Sequence, residues 1–174
     1  QHLESQETAE YFKAFQARGG KTMLDVVLYG DRPYWPALEP LLPYVDYFMP
    51  NDDEGYAITG IKDPADQARY FVDAGARTCV ITCGDEGSIY YSEKERFRAE
   101  IFRTEFVGGT GSGDAFDAGF IAGLLDGGDA YECMRRATAQ GMSCVRHSSA
   151  TGSVFTKSEA EAFLEGRELK TFSL

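Results

Sequence analysis

Gly108-Gly109-Thr110-Gly111-Ser112-Gly113-Asp114-Ala115-Phe116-Asp117-Ala118-Gly119-Phe120 is the most informative run in the chain. Four glycines within residues 108–113 let the backbone turn through positive φ and bring its N–H groups close to a ligand. A helix over 114–125 is expected directly behind them. Its unpaired first-turn amides and positive dipole end would point at the same spot, an arrangement that binds phosphate. Three common glycine signatures do not fit. Asp114 follows the last glycine where a Walker loop has Lys, and the spacing of Gly109, Gly111 and Gly113 lacks the final gap of G-x-G-x-x-G. Thr110 stands two residues before Ser112, where a G-x-S-x-G elbow needs glycine. Asp114 admits two readings. It is either the cap of the helix, or a carboxylate that takes a proton from a hydroxyl attacking a phosphate held by the neighbouring amides. Ala115, Ala118, Gly119, Ala122 and Gly123 make the helix narrow enough to pack tightly on a sheet.

Working outward, short β-branched or apolar runs predict strands over 23–28, 45–49, 78–82, 88–92 and 97–103. Helical spacing and punctuation predict helices over 7–18, 52–60, 63–74, 129–145 and 158–164, with a short segment over 37–42 between prolines. Asp52 is expected to cap a helix closed by Gly60, and Asp63-Pro64 to start one that ends before Gly75. Strands alternating with helices imply βαβ units and a parallel sheet covered on both faces, within one α/β domain. The local return over 84–103 adds an antiparallel portion at one edge.

Two further segments follow predicted strands, where open α/β sheets bind ligands. Pro50-Asn51-Asp52-Asp53-Glu54 offers an amide and hard carboxylate oxygens suited to Mg²⁺ and its waters, or simply an Asx turn opening a helix. Thr82-Cys83-Gly84-Asp85-Glu86-Gly87 either reverses the chain or presents backbone and a hydroxyl to a nucleotide. Asp25 lies in a predicted strand and either faces the same carboxyl-end crevice or simply sits near an edge. His147 reads as a dipole partner at a helix end, Cys83 has no neighbour that argues for reactivity, and Trp35 reads as a packing anchor.

The 174 residues are about one domain's worth, and 43% hydrophobic content is enough for a core. Seventeen Lys and Arg against 28 Asp and Glu give a net charge of −11, which disfavours nucleic acid and anionic membrane as partners. Four unpatterned Cys and two His hold no zinc pattern and read as a reduced compartment. The mostly apolar stretch over 115–125 is far short of a membrane span, and no signal peptide opens the chain, so a cytoplasmic location is expected. The chain opens on Gln1-His2-Leu3-Glu4 without an initiator Met, and is expected to be either a fragment or the later part of a longer protein.

In this order, Leu24-Asp25, Pro50-Asn51-Asp52-Asp53-Glu54, Thr82-Cys83-Gly84-Asp85-Glu86-Gly87 and Gly108–Phe120 resemble the PfkB (ribokinase-like) carbohydrate kinase family over residues 21–164. The resemblance implies a ribokinase-like three-layer α/β/α fold with a mostly parallel sheet. Residues 1–174 would be its C-terminal, nucleotide-binding portion, without the N-terminal half and its β-sheet lid. It further implies ATP-dependent phosphotransfer to a hydroxyl of a sugar or sugar-like substrate, with ATP and Mg²⁺ as cofactors. Asp114 would be the base, and the amides of Gly111, Ser112 and Gly113 the anion hole. Asn51 and Glu54 would order Mg²⁺. Thr82, Gly84, Asp85, Glu86 and Gly87 would line the nucleotide, along with Asn51 and with Thr138, which stands where the family often has Asn. Fructose, ribose, 2-keto-3-deoxygluconate and nucleosides all stay open as acceptors, and so does a homodimer. The family's Asp-Thr before the loop is Gly108-Gly109 here, which speaks against a monovalent-cation site. Lacking the sugar-binding half, the chain by itself is expected to be inactive. A non-catalytic nucleotide-binding regulatory protein of kinase-like fold is the alternative.

Overall fold

The computed structural model describes residues 5–30 and 33–174, so the opening Gln1-His2-Leu3-Glu4 lies outside them. The elements in chain order are α1 (Ser5–Gln16), β1 (Met23–Leu24), α2 (Trp35–Leu38), β2 (Tyr47–Phe48), α3 (Asp52–Thr59), α4 (Pro64–Asp73) and β3 (Thr78–Thr82). There follow β4 (Ser88–Ser92), β5 (Arg96–Ala99), α5 (Ser112–Leu125), α6 (Ala130–Cys144), α7 (Lys157–Leu164) and β6 (Thr171–Ser173). Short 3₁₀ turns occupy Leu42–Tyr44 and Gly84–Glu86. The strands form a six-stranded mixed sheet in chain order. β1 and β2 pair in parallel, as do β2 and β3, whereas β3 and β4 pair antiparallel from Thr78↔Ser92 to Thr82↔Ser88. The parallel start and the antiparallel return are those expected of the sequence.

Two compact units make up the described chain. One runs up to Cys83 and includes Ser88–Phe97 and Ser173–Leu174; the other comprises Gly84–Gly87 and Arg98–Phe172. In the first, the core gathers Leu38, Leu42, Val45, Phe48, Phe71, Cys79, Ile81 and Ile89. Phe48 and Phe71 meet edge to face with centroids 4.7 Å apart, and Trp35 packs edge-on to Tyr70 at 5.0 Å. β3 is buried at its first four positions, as an apolar β-branched run covered on both faces should be. In the second unit the small residues of α5 serve α6 rather than the sheet. A Cβ on Gly119 would meet the Arg136 carbonyl at 2.6 Å, and one on Gly123 the Cys133 Cα at 2.8 Å.

Helix punctuation follows local chemistry. Gly60 closes α3 in the left-handed region at φ 72°, and Asp63 accepts from the amides of Ala65 and Asp66 ahead of α4. Asp129 caps α6, and Thr156 opens α7 in a capping box with Glu159. The short segment expected over 37–42 resolves into α2, with Pro36 in its first turn, and a separate 3₁₀ turn around Pro43. The cap of α3 is Asn51, not Asp52.

β1 and β2 are two residues each where longer strands were expected. Beyond Leu24 the Asp25 carboxylate accepts the amide of Val26 at 2.7 Å, taking a donor that a ladder would use. At the other end the Asp46 side chain takes the Thr22 amide, while the Asp46 amide still donates to the Thr22 carbonyl at 3.1 Å. Its buried carboxylate accepts from the Thr22 amide (2.9 Å) and the Gln16 side chain (3.0 Å), and pairs with Arg77 (2.9 Å). β5 ends earlier than expected, with Glu100 donating its amide to the Lys170 carbonyl at 2.9 Å. β6 has no counterpart in the sequence reading.

Burial alone would raise the Asp46 pKa, but the Thr22 amide, the Gln16 amide and the Arg77 charge outweigh it and hold the carboxyl below its ordinary value. Such a group adds stability that is complete above the unfolded value of about 3.9 and is lost as pH falls through the folded one. Asp46→Ala orphans the buried Thr22 amide, so urea unfolding at neutral pH should show a loss of roughly 2–3 kcal/mol. The difference from wild type should shrink progressively below about pH 4.

Candidate active site

In the second unit, the glycine loop builds an open helix start. Gly111 precedes α5 at φ 81° and makes no side-chain cap. A Cβ there would strike Ala150 at 2.7 Å, so both the conformation and the contact require glycine. Gly113 differs: a Cβ on it would meet nothing within 4 Å. The Ser112 amide is already used, donating to the Gly109 carbonyl at 3.1 Å, and the Ser112 hydroxyl donates to the same oxygen at 2.8 Å. The amides of Gly111, Gly113 and Asp114 donate to no partner among the described residues. Asp114 is the third residue of α5, exposed, and caps nothing. The capping reading of Asp114 is therefore set aside, because glycine at the cap position leaves the carboxylate free to face outward.

The turn Gly84–Gly87 belongs to the same unit. Gly84 and Gly87 have φ of 56° and 95°, and a Cβ on Gly87 would collide with the Ala99 carbonyl oxygen. Glu86 is tied to Arg98, which donates to its backbone carbonyl at 2.9 Å and its carboxylate at 3.3 Å. Asp85 is exposed. Thr138 is buried inside α6 with its hydroxyl donating to the Met134 carbonyl at 2.8 Å, so its polar atom is committed to its own helix. His147 closes a local turn just beyond α6 by accepting the Ser149 amide on Nδ1 at 3.0 Å.

In the first unit, the carboxyl ends of the strands bring a second set together. Asn51 bridges Thr82 in parallel, and the Thr82 amide donates to the Pro50 carbonyl at 3.2 Å. Asn51 and Glu54 form a reciprocal capping box: the Glu54 amide donates to Asn51 Oδ1 (2.8 Å) and the Asn51 amide to Glu54 Oε2 (2.9 Å). Among the described residues Glu54 Oε1 accepts no hydrogen bond. Burial raises the Glu54 pKa, and the charges of Asp25 and Asp53 add to it against the lowering effect of the Asn51 amide. Asp25, Asp53 and Glu54 thus concentrate negative potential at one spot. Among the described residues no group of three or more His, Cys, Asp or Glu forms a metal cage. That donor set fits Mg²⁺, which keeps most of its waters and takes one or two carboxylates plus substrate phosphates.

The profile of the pfkB family carbohydrate kinases matches residues 4–157. The chain belongs to that family. It is 31% identical to the ribokinase of Haemophilus influenzae over 133 residues, 73% of this chain and 43% of that one. It is 39% identical to the cytidine kinase of Thermococcus kodakarensis over 100 residues, 56% of this chain and 36% of that one. A solved E. coli structure, assigned as a ribokinase II in complex with ATP and Mg²⁺, superposes with a TM-score of 0.78 at 26% identity. That match covers 90% of this chain and 52% of the other. The chain thus spans about half the length of the solved relative and less than half of the two curated ones. The fold is ribokinase-like, and among the described residues no helix is long and apolar enough to cross a membrane.

The segment after α6 packs against the glycine loop without any signal in the sequence. No motif marks it, and its partners lie far away in sequence, as between Cys144 and Thr110, 34 residues apart.

The two glycines of the loop should respond differently to a methyl group. Gly111→Ala should lower stability by roughly 1–3 kcal/mol through strain and collision with Ala150. Gly113→Ala, in open space at an ordinary φ, should leave the urea midpoint within about 0.5 kcal/mol of wild type.

Proposed function

We propose that the protein carrying this chain transfers the terminal phosphoryl group of ATP to a hydroxyl of a sugar or nucleoside. The carrying observation is the start of α5, where open amides at Gly111, Gly113 and Asp114 lie beside an exposed carboxylate that caps nothing. Phosphoryl transfer asks mainly for positioning and charge stabilisation. The amides receive the charge spread over the phosphoryl oxygens, helped by the positive end of the helix. The Asp114 carboxylate takes the proton of the acceptor hydroxyl as it attacks. Ser112 shapes the loop through its two bonds to Gly109, and so contributes its backbone to the turn rather than to the anion.

Glu54, through Oε1, would hold Mg²⁺ and its waters, with Asn51 fixing the orientation of Glu54. When bound, the ion neutralises charge on the ATP phosphates. Thr82 and the Gly84–Gly87 turn are assigned to the nucleotide, the latter by its backbone because Glu86 is held by Arg98. Thr138 stays in this reading as a packing residue only. The ribokinase and cytidine kinase relatives support an acceptor that is a sugar or a nucleoside. Because the chain spans about half of the solved relative, turnover is assigned to a protein with the whole of that length, and the chain alone would hold nucleotide without transfer.

The deciding assay follows ADP release from Mg²⁺ and ATP over a panel of sugars and nucleosides. Asp114→Asn should cut kcat by roughly 10²–10⁴-fold while leaving the fold intact. Equal turnover in the variant would remove Asp114 as the base. ATP binding without turnover on any acceptor would favour a regulatory nucleotide-binding protein instead.

Glu54 gives a separate handle. Its raised pKa means that a proton competes with the cation to a higher pH than for an ordinary glutamate. The Mg²⁺ concentration at half-maximal effect should therefore fall as pH rises through the Glu54 pKa. Glu54→Gln should raise that concentration about 10-fold and flatten its pH dependence, as read by Mg²⁺ titration at several pH values.

A further inference from the structure

The end of α6 and the turn beyond it hold the glycine loop by contacts that no sequence motif announces. The Val145 carbonyl accepts two loop amides, Val107 at 2.8 Å and Gly108 at 3.2 Å. The fully buried Cys144 thiol donates to the Ala150 carbonyl at 3.1 Å and lies 3.5 Å from the Thr110 carbonyl. Ala150 fills the space in which a Gly111 Cβ would sit. The turn is itself pinned. The Ser153 hydroxyl donates to the Ser143 carbonyl at 2.6 Å, and Arg146 donates to the carbonyls of Ser143 and Ser153 while lying over the Phe155 ring. A loop rich in glycine has many backbone states to lose, so something outside it must select one.

We propose that residues 144–150 act as a positioning brace for the glycine loop, fixing the open amides of Gly111, Gly113 and Asp114 through the Cys144 thiol, the Val145 carbonyl and Ala150. The role rests on the kinase reading for its purpose but on the contacts alone for its existence. Burial, with the Asp114 charge nearby, raises the Cys144 pKa and keeps the thiol protonated, as a donor must be. Cys144 touches no reacting atom here and acts through the loop.

Hydrogen exchange on the natural protein tests this without requiring turnover. The amides of Val107, Gly108 and Ser112 are bonded in the braced loop and report its opening. Cys144→Ala should speed their exchange roughly five-fold while leaving the interior of α5 and α6 unchanged. Cys144→Ser, which keeps a donor at that place, should return them toward wild type. Ala150→Val, crowding Gly111 with the thiol intact, should open the same amides. Unchanged exchange there in Cys144→Ala, a uniform rise over α5 and α6, or a serine variant no better than alanine would each overturn the brace. If the protein turns over substrate, Cys144→Ala should raise KM for ATP and lower kcat without moving the pH profile. A native protein that phosphorylates nothing would sink the kinase reading, while the exchange result would still decide the brace.

Discussion

An uncapped helix start organises the second unit. A side chain at the cap position of α5 would satisfy its first-turn amides and stabilise the helix by about 1 kcal/mol. The other long helices with a defined start take that stabilisation: Asn51 serves α3, Asp63 α4, Asp129 α6 and Thr156 α7. α5 has Gly111 instead, in a conformation that only glycine adopts without strain. Amides left open in this way are available to water or to an anion, and with glycine at the cap position Asp114 is not the cap of its helix.

The first unit resolves a similar tension in the other direction. Asn51 and Glu54 satisfy each other's amides, so the bland reading of the acidic segment as a helix start is correct as structure. Yet capping uses only one oxygen of Glu54. The other remains on a carboxylate whose burial, with Asp25 and Asp53 close by, makes the charged form costly. Capping therefore orients the carboxylate, with the negative charges of Asp25 and Asp53 beside it.

Much of this was legible in the sequence wherever the cause is local. Gly60, Asp63-Pro64 and Asp129 each sit at the helix boundary that their chemistry predicts, because caps and left-handed glycines are properties of a few adjacent residues. β3 and β4 were equally plain, as β-branched and aromatic runs of the right length. What failed was what depends on distant partners. β1 and β2 shorten because Asp46 and Asp25 redirect backbone amides into side-chain bonds, which no hydrophobic pattern reveals. β6 is exposed at all three positions and so carries no burial signal. At the site, the loop, Asn51, Glu54 and Thr82 were visible as residue types. That Ser112 spends its amide on Gly109 and that Thr138 turns its hydroxyl into its own helix are matters of backbone geometry.

The small residues of α5 connect these points. Read from sequence, they promised close packing on a sheet, but Gly119 and Gly123 let the backbone of α6 approach instead. That approach has a consequence at the far end of α6. Two helices in backbone contact have little freedom to slide or rotate against each other, so the last turn of α6 is set relative to the first turn of α5. The Cys144 thiol and Val145 carbonyl are carried on that last turn, within reach of Thr110, Val107 and Gly108. The glycines inside α5 thus govern the glycines before it: the first pair fixes the distance between helices, and that distance lets a turn 34 residues away hold an otherwise floppy loop in one conformation.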